Sequence, residues 1–218
     1  MVEPTMNLSG QHNLFNAMTA RSVTIIGAGA VGGYVAVTLA KMGVTKLTVI
    51  DDDYVESHNI PMSVYRPCDL GRPKVEALRD IVLEASGVVI DARRQFYENE
   101  PLRDAVVCCV DTMEARQAVW RNVKMQPRVD ILIDTRTAEE LVWVFAIAPC
   151  DPDDIAYYEH HLAYTTKETA HPMCGRHGIV YASMSAASAV AADLVYWWQH
   201  GKKKRHHKAL TGVMEMID

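Results

Sequence analysis

Val23-Thr24-Ile25-Ile26-Gly27-Ala28-Gly29-Ala30-Val31-Gly32 joins a short apolar, β-rich run to a Gly-x-Gly-x-x-Gly loop. Apolar residues then recur at helical spacing through Val31, Val35, Leu39 and Met42, Gly43 stops the helix, and Leu47-Thr48-Val49-Ile50 reads as a second strand. Strand, helix and strand make a βαβ unit, whose right-handed crossover implies a parallel sheet. In that setting Gly27 permits the tight turn, Gly29 lets backbone approach a phosphate, and Gly32 lets helix and strand pack closely. The helix N-terminus attracts the anion. Asp51 ends the second strand 19 residues past Gly32, where its carboxylate can accept hydrogen bonds from ribose hydroxyls. The loop and Asp51 taken alone favour NAD or FAD over ATP.

The alternation continues downstream. A helix is predicted near 72–85, opened by Pro73 and carrying Val75, Leu78, Val82 and Ala85 on one face. Strands are expected at 87–91, 105–110 and 129–133, with a helix near 113–124. Leu141 to Ala148 is a β-like run with no helix before it, which suggests an antiparallel extension. Residues 149–176 read as a polar, irregular crossover loop, and long connections of this kind are often functional. The helix expected at 177–199 is rich in Ala and Ser, so its backbone can lie close to a neighbour. A small strand is expected within Leu210 to Ile217, in a tail at 200–218. The N-terminal segment, 1–21, holds a weak helical pattern at 7–19 that Gly10 interrupts. The fold class is α/β: one Rossmann-like, doubly wound domain over 1–218, with a mainly parallel sheet, an antiparallel extension and a long crossover loop.

The chain has 218 residues, 49% of them hydrophobic and 22% charged, which is the balance of a globular protein. Its net charge of -5 argues against nucleic-acid binding, because phosphate neutralisation needs a basic face. One local basic run, Lys202-Lys203-Lys204-Arg205 with Lys208, reads as a solvated tail, with an acidic partner surface as the sharper alternative. The only stretch long enough to suggest a membrane span, Gly178 to Trp198, contains Asp193 and many small residues and is better read as a buried helix. No secretory signal opens the chain, so a cytoplasmic protein is expected, and five cysteines without framework spacing fit reduced thiols there.

Three further segments follow in order: Asp51-Asp52-Asp53-Tyr54-Val55-Glu56-Ser57-His58-Asn59, then Asp69-Leu70-Gly71-Arg72-Pro73-Lys74-Val75-Glu76-Ala77, then Cys109-Val110-Asp111-Thr112. Together with the glycine loop they resemble the ThiF/MoeB family, bacterial relatives of ubiquitin-activating enzymes. The resemblance covers about 22–134 and returns at Cys174-Gly175-Arg176-His177-Gly178. It implies an ATP-dependent adenylyltransferase that activates the C-terminal carboxylate of a ubiquitin-like or sulfur-carrier protein ending in Gly-Gly, releases pyrophosphate, and works as a homodimer. Carried over residue by residue, Gly27, Gly29, Gly32, Asp51 and Asp53 belong to the nucleotide site. Asn59 and Lys74 contact phosphates, Asp111 holds magnesium, and Cys174 is the family cysteine that in some members links covalently to the carrier. Asp111 could alternatively cap the helix that follows it, and Lys74 alone could be a solvated helix lysine.

The chain departs from the family pattern in places. Met62 stands where the family has an arginine after Asn59, with Arg66 close enough in sequence to substitute, and the N-terminal segment lacks the family's Arg-Gln. The two Cys-x-x-Cys pairs of the family's zinc site are absent, although His171, Cys174 and His177 have metal-like spacing, with Cys150, His160 or His161 as a fourth ligand. An NAD-dependent oxidoreductase shares the glycine loop and Asp51 but leaves Asn59, Lys74 and Asp111 unexplained. A non-catalytic nucleotide-binding subunit of the same fold is the other reading. The aromatic set Tyr196, Trp197 and Trp198 supplies an interface for the homodimer.

Overall fold

The computed structural model describes residues 6–11, 13–163, 179–203, 206–210 and 215–217. Strands β1 (Val23–Ile26), β2 (Leu47–Ile50), β3 (Asp91–Arg93), β4 (Asp104–Cys108) and β5 (Val129–Ala138) run parallel, in the spatial order β3-β2-β1-β4-β5. Strands β6 (Leu141–Ile147), β7 (His206–Leu210) and β8 (Glu215–Ile217) continue the same sheet antiparallel. The order reverses between β1 and β4, and a sheet of this kind opens a ligand crevice at the carboxyl ends of those strands.

Why the sheet is covered on both sides follows from its strand sequences. At the carboxyl ends of β1, β2 and β4 consecutive residues are both apolar, Ile25-Ile26, Val49-Ile50 and Val107-Cys108, as strands buried on two faces require. Ile25, Val49 and Val107 face α1 (Ala30–Lys41), α2 (Lys74–Ser86) and α5 (Val180–His200), whereas Ile26, Ile50 and Cys108 face α3 (Met113–Val123) and α4 (Pro152–Leu162). Ala182, Ala186, Ala187 and Ala191 are buried on α5, which lies against α1 and β6 as its small side chains lead one to expect. Leu132 and Ile133 sit on opposite faces of β5, and the antiparallel pairing of Asp134 with Phe145 carries that alternation into β6.

Several expectations need correction. Residues 7–19 form two short 3-10 turns, Ser9–Gln11 and Ala17–Thr19, because the segment is too short and too broken by Gly10 to sustain an α-helix. Phe15 between them is buried and stacks on Trp198 at 5.7 Å. The strand expected at 87–91 begins only at Asp91. Gly87, with φ of +76°, caps α2, and Val88 and Ile90 are buried before any pairing starts. The loop expected at 149–176 contains α4. Its start is encoded by Asp151, whose carboxylate accepts from the N–H groups of Asp153 and Asp154, and by Pro152 in the first turn. Residues 164–178 lie outside the described ones, and with them His171, Cys174 and His177, the three residues of metal-like spacing.

The expected tail holds β7 and β8, so the small strand predicted within Leu210 to Ile217 is one of two. Lys203 is no solvated lysine: it pairs with the buried Asp154 of α4. The aromatic set taken as an interface is half-buried inside the chain. Trp197 and Trp198 pack on the core, and Tyr196 stacks on His200 at 4.4 Å. Among the described residues, no helix is long and apolar enough to cross a membrane.

Candidate functional site

A cleft of about 340 Å³ opens at the carboxyl ends of the parallel strands, lined among others by Gly27, Gly29, Asp51, Asp53, Lys74 and Asp111. Six of the expected site residues thus meet in one place, although they come from four separate stretches of sequence. The backbone explains the glycines. Gly27 has φ of +96°, and a Cβ there would lie 2.6 Å from the Cys109 carbonyl oxygen. A Cβ on Gly32 would sit 1.9 Å from the Gly27 oxygen, so α1 can only lie this close to the loop with glycine at that position. Gly29 differs: a Cβ there would meet nothing within 4 Å. It is the N-cap of α1, has no side chain with which to satisfy the first amides of the helix, and faces space that a phosphate can enter.

This difference gives a test. Gly29→Ala should leave thermal stability unchanged, because Gly29 has a negative φ of -77° and its Cβ would point into open space. The same methyl should weaken ATP binding at least about tenfold by occupying the phosphate's approach. Calorimetric titration checks it, and ATP affinity equal to that of the parent chain would remove the phosphate from this loop.

Asp51 is held in place from both sides. Its Oδ2 accepts from the Ala28 N–H at 2.6 Å and its Oδ1 from the Asp53 N–H at 2.8 Å. Burial raises its pKa above the ordinary aspartate value, against the lowering influence of the Lys74 charge and of those two amides. Each oxygen keeps a lone pair for a further donor such as a ribose hydroxyl. Lys74 opens α2, with its side chain only 10% exposed and its Nζ 2.7 Å from Asp53 Oδ2. It is not the solvated lysine that one isolated position would suggest. Tyr65, buried, donates from its hydroxyl to the Ala28 carbonyl at 2.6 Å and lies 3.2 Å from the Lys74 carbonyl. One side chain therefore ties the glycine loop to the start of α2.

Asp111 follows β4 and is exposed to the cleft. The helix after it is capped by Thr112, whose hydroxyl accepts from the Ala115 N–H at 3.2 Å, so Asp111 is released from that duty. An exposed carboxylate beside a phosphate-sized space fits magnesium, which takes few protein ligands together with phosphate oxygens.

Asn59 and Arg66 are not among the lining residues. The Asn59 side chain accepts from the Glu56 N–H at 2.9 Å and closes the 3-10 turn Ser57–Met62. Arg66 is wrapped onto Asp69 at 3.1 Å and Glu84 at 2.6 Å, two carboxylates that hold it permanently charged. Its guanidinium is thus held on these two carboxylates and away from the lining of the cleft. The lining also includes Cys109, Val110 and Thr112, which flank Asp111 in the segment quoted above, and Gln95, Phe96 and Tyr97 after β3, which sequence reading missed. Phe96 is 60% exposed, an unusual setting for a phenyl ring beside a polar cleft, and burial pushes the Tyr97 hydroxyl up to about 12. Their signal was position alone, since loops after parallel strands build the ligand site.

Residues 4–214 match the model of the ThiF family. A 74-residue stretch is 35% identical to ubiquitin-like modifier-activating enzyme 5 of Caenorhabditis elegans, covering 34% of this chain and 18% of that protein. Ninety residues are 30% identical to the probable adenylyltransferase/sulfurtransferase MoeZ of Mycobacterium tuberculosis, covering 41% of this chain and 22% of that one. The matched stretches thus span about a fifth of these curated relatives. Escherichia coli MccB, crystallised with ATP, superposes with a TM-score of 0.69 at 15% identity over 92% of this chain and 64% of MccB, a likeness of fold. With the glycine loop, Asp51, Lys74 and Asp111 gathered in one cleft and the family model matched almost end to end, the chain belongs to the ThiF family.

Proposed function

We propose that this cleft binds ATP with magnesium and adenylates a carboxylate, the acceptor being the C-terminus of a small protein of the ubiquitin-like or sulfur-carrier class. The observation that carries the reading is the convergence of an open glycine loop, a ribose-facing Asp51, a desolvated Lys74 and an uncommitted Asp111 on one cleft. An NAD site would use the first two and has no work for the others. The names of the relatives support the acceptor class, as does the crystallisation of MccB with a second component, MccA.

In this reading an oxygen of the acceptor carboxylate attacks the α-phosphorus, the bond from that phosphorus to the bridging oxygen breaks, and pyrophosphate leaves. An acyl-adenylate remains. No protein nucleophile is needed, so the side chains act by positioning and by charge. Asp51 orients the ribose, the α1 amides and Lys74 hold the phosphate chain, and Asp111 would hold magnesium, which supplies neutralising charge to the phosphates. That supply matters here. Asp51, Asp52, Asp53 and Asp111 line the cleft against the single ammonium of Lys74, so a bare triphosphate meets repulsion.

Thermal-shift titration with ATP and with NAD, each with and without magnesium, tests the nucleotide, and ATP–pyrophosphate exchange with candidate acceptors tests the reaction. Stabilisation by ATP only in the presence of magnesium, and acceptor-dependent exchange, are the expected results. Tight NAD binding that ignores magnesium would overturn the proposal.

A further inference from the structure

The acidity of the cleft raises the question of which cation, besides Lys74, faces the phosphate chain. The arginines near its entrance are mostly committed to carboxylates: Arg66 to Asp69 and Glu84, Arg72 to Asp69 and Asp80, and Arg93 to Asp91. Arg94 is different. Its guanidinium carbon lies 4.6 Å from the centre of the Tyr54 ring, and its Nη2 donates to the Tyr54 hydroxyl. No carboxylate among the described residues pairs with it.

Neither Arg94 nor Tyr54 lines the cleft itself, but their chain neighbours do. Gln95 and Phe96, which follow Arg94 directly, line the cleft, and Tyr54 directly follows Asp53, another lining residue. Tyr54 is also bridged through its backbone to Pro73, the residue before Lys74. Arg94 therefore stands on the Lys74 side of the cleft, at the carboxyl end of a parallel strand, where sheets of this topology bind ligands.

We propose that Arg94 is a phosphate-clamping arginine that leaves Tyr54 to engage the β- and γ-phosphates beside Lys74. The inference rests on the ATP reading given above. A guanidinium presents several donors in a planar fork and keeps its charge, so it suits phosphate oxygens better than any other side chain. An exposed cation–π contact is weak, whereas a hydrogen bond between two charged groups is strong, so the arm is held in place at rest and released when a polyphosphate arrives. Ion pairing to a carboxylate would have made that exchange harder. Phosphates beyond the α position are the ones concerned, since in the ATP reading the α-phosphate is met by the glycine loop and the first amides of α1.

The experiment is calorimetric titration of the full chain with ATP and with AMP, in magnesium, for the parent protein, Arg94→Ala and Arg94→Lys. Arg94→Ala should lower ATP affinity by about tenfold, change AMP affinity by less than about twofold, and unfold at the parent temperature, with Arg94→Lys falling between for ATP. Equal losses for ATP and AMP would assign Arg94 to the base or ribose and overturn the clamp, as would an unchanged ATP affinity. A parent chain that binds neither nucleotide would overturn the ATP reading itself, and the clamp with it.

Discussion

Replacing Lys74 by alanine should lower ATP–pyrophosphate exchange by about two to three orders of magnitude while leaving the chain folded. Its ammonium is the one lysine charge among the residues that line the cleft, and it is fixed twice, by Asp53 Oδ2 at 2.7 Å and by its place at the start of α2. Removing a preorganised charge from a partly desolvated site costs about 3–4 kcal/mol of transition-state stabilisation, because water cannot replace it without reorganising as the reaction proceeds. Stability should move much less. Asp53, its partner, has a side chain 66% exposed, so once Lys74 is gone the carboxylate is hydrated, and a pair of this kind contributes about 1 kcal/mol or less. Lys74→Arg should recover little, since a planar fork does not fit a space shaped around an ammonium. The measurements are exchange kinetics and a melting curve on the same preparation. Exchange at parental rates would reduce Lys74 to a counter-ion for Asp53.

The parts of this molecule that sequence shows are those set by backbone chemistry. A tight turn with φ of +96° at Gly27 and a helix packed within a methyl's reach at Gly32 leave only glycine at both positions, and the loop is legible for that reason. Lys74 and Asp111 become legible through spacing and family resemblance. What the sequence hides depends on distant contacts or on weak periodicity. The helix α4 buries Asp154, Tyr158 and Leu162 along one face while Asp153, Glu159, His160 and His161 make much of the rest polar, so composition pointed to a loop even though Asp151-Pro152 marks a helix start. The strand β3 was placed too early because Val88 and Ile90 are apolar. They are buried against α2 and the sheet before the pairing begins, and that misplacement concealed Gln95, Phe96 and Tyr97 as the mouth of the cleft. Arg66 illustrates the limit of proximity in sequence: the turn Pro67–Asp69 folds it onto Asp69 and Glu84.

A second large effect belongs to a group that no linear reading brings together. Arg116 of α3 and Arg136 of β5 both pair with Asp134 of β5, and all three side chains are almost completely buried. Arg116 also donates to the carbonyls of Val110 at 2.5 Å and Thr135 at 2.9 Å, and Arg136 to the carbonyl of His161 at 3.0 Å while lying over the Phe145 ring. Asp134→Asn keeps the shape and removes the one negative charge, leaving two buried guanidinium groups without compensation. The expected loss is about 3–5 kcal/mol, which for a chain of this size lowers the melting temperature by roughly 10 °C. Because Val110 immediately precedes Asp111, the same change should also loosen the proposed magnesium ligand and weaken ATP binding. Stability and binding can be separated. Replacing the triad together, Arg116→Met, Asp134→Leu and Arg136→Met, should restore most of the stability, since buried ion networks exchange for apolar packing at little cost. It should not restore ATP affinity, because replacing Arg116 removes the donor to the Val110 carbonyl. Urea unfolding and ATP titration on both variants check this, and an Asp134→Asn chain within about 1 kcal/mol of the parent would show that the two arginines find other partners.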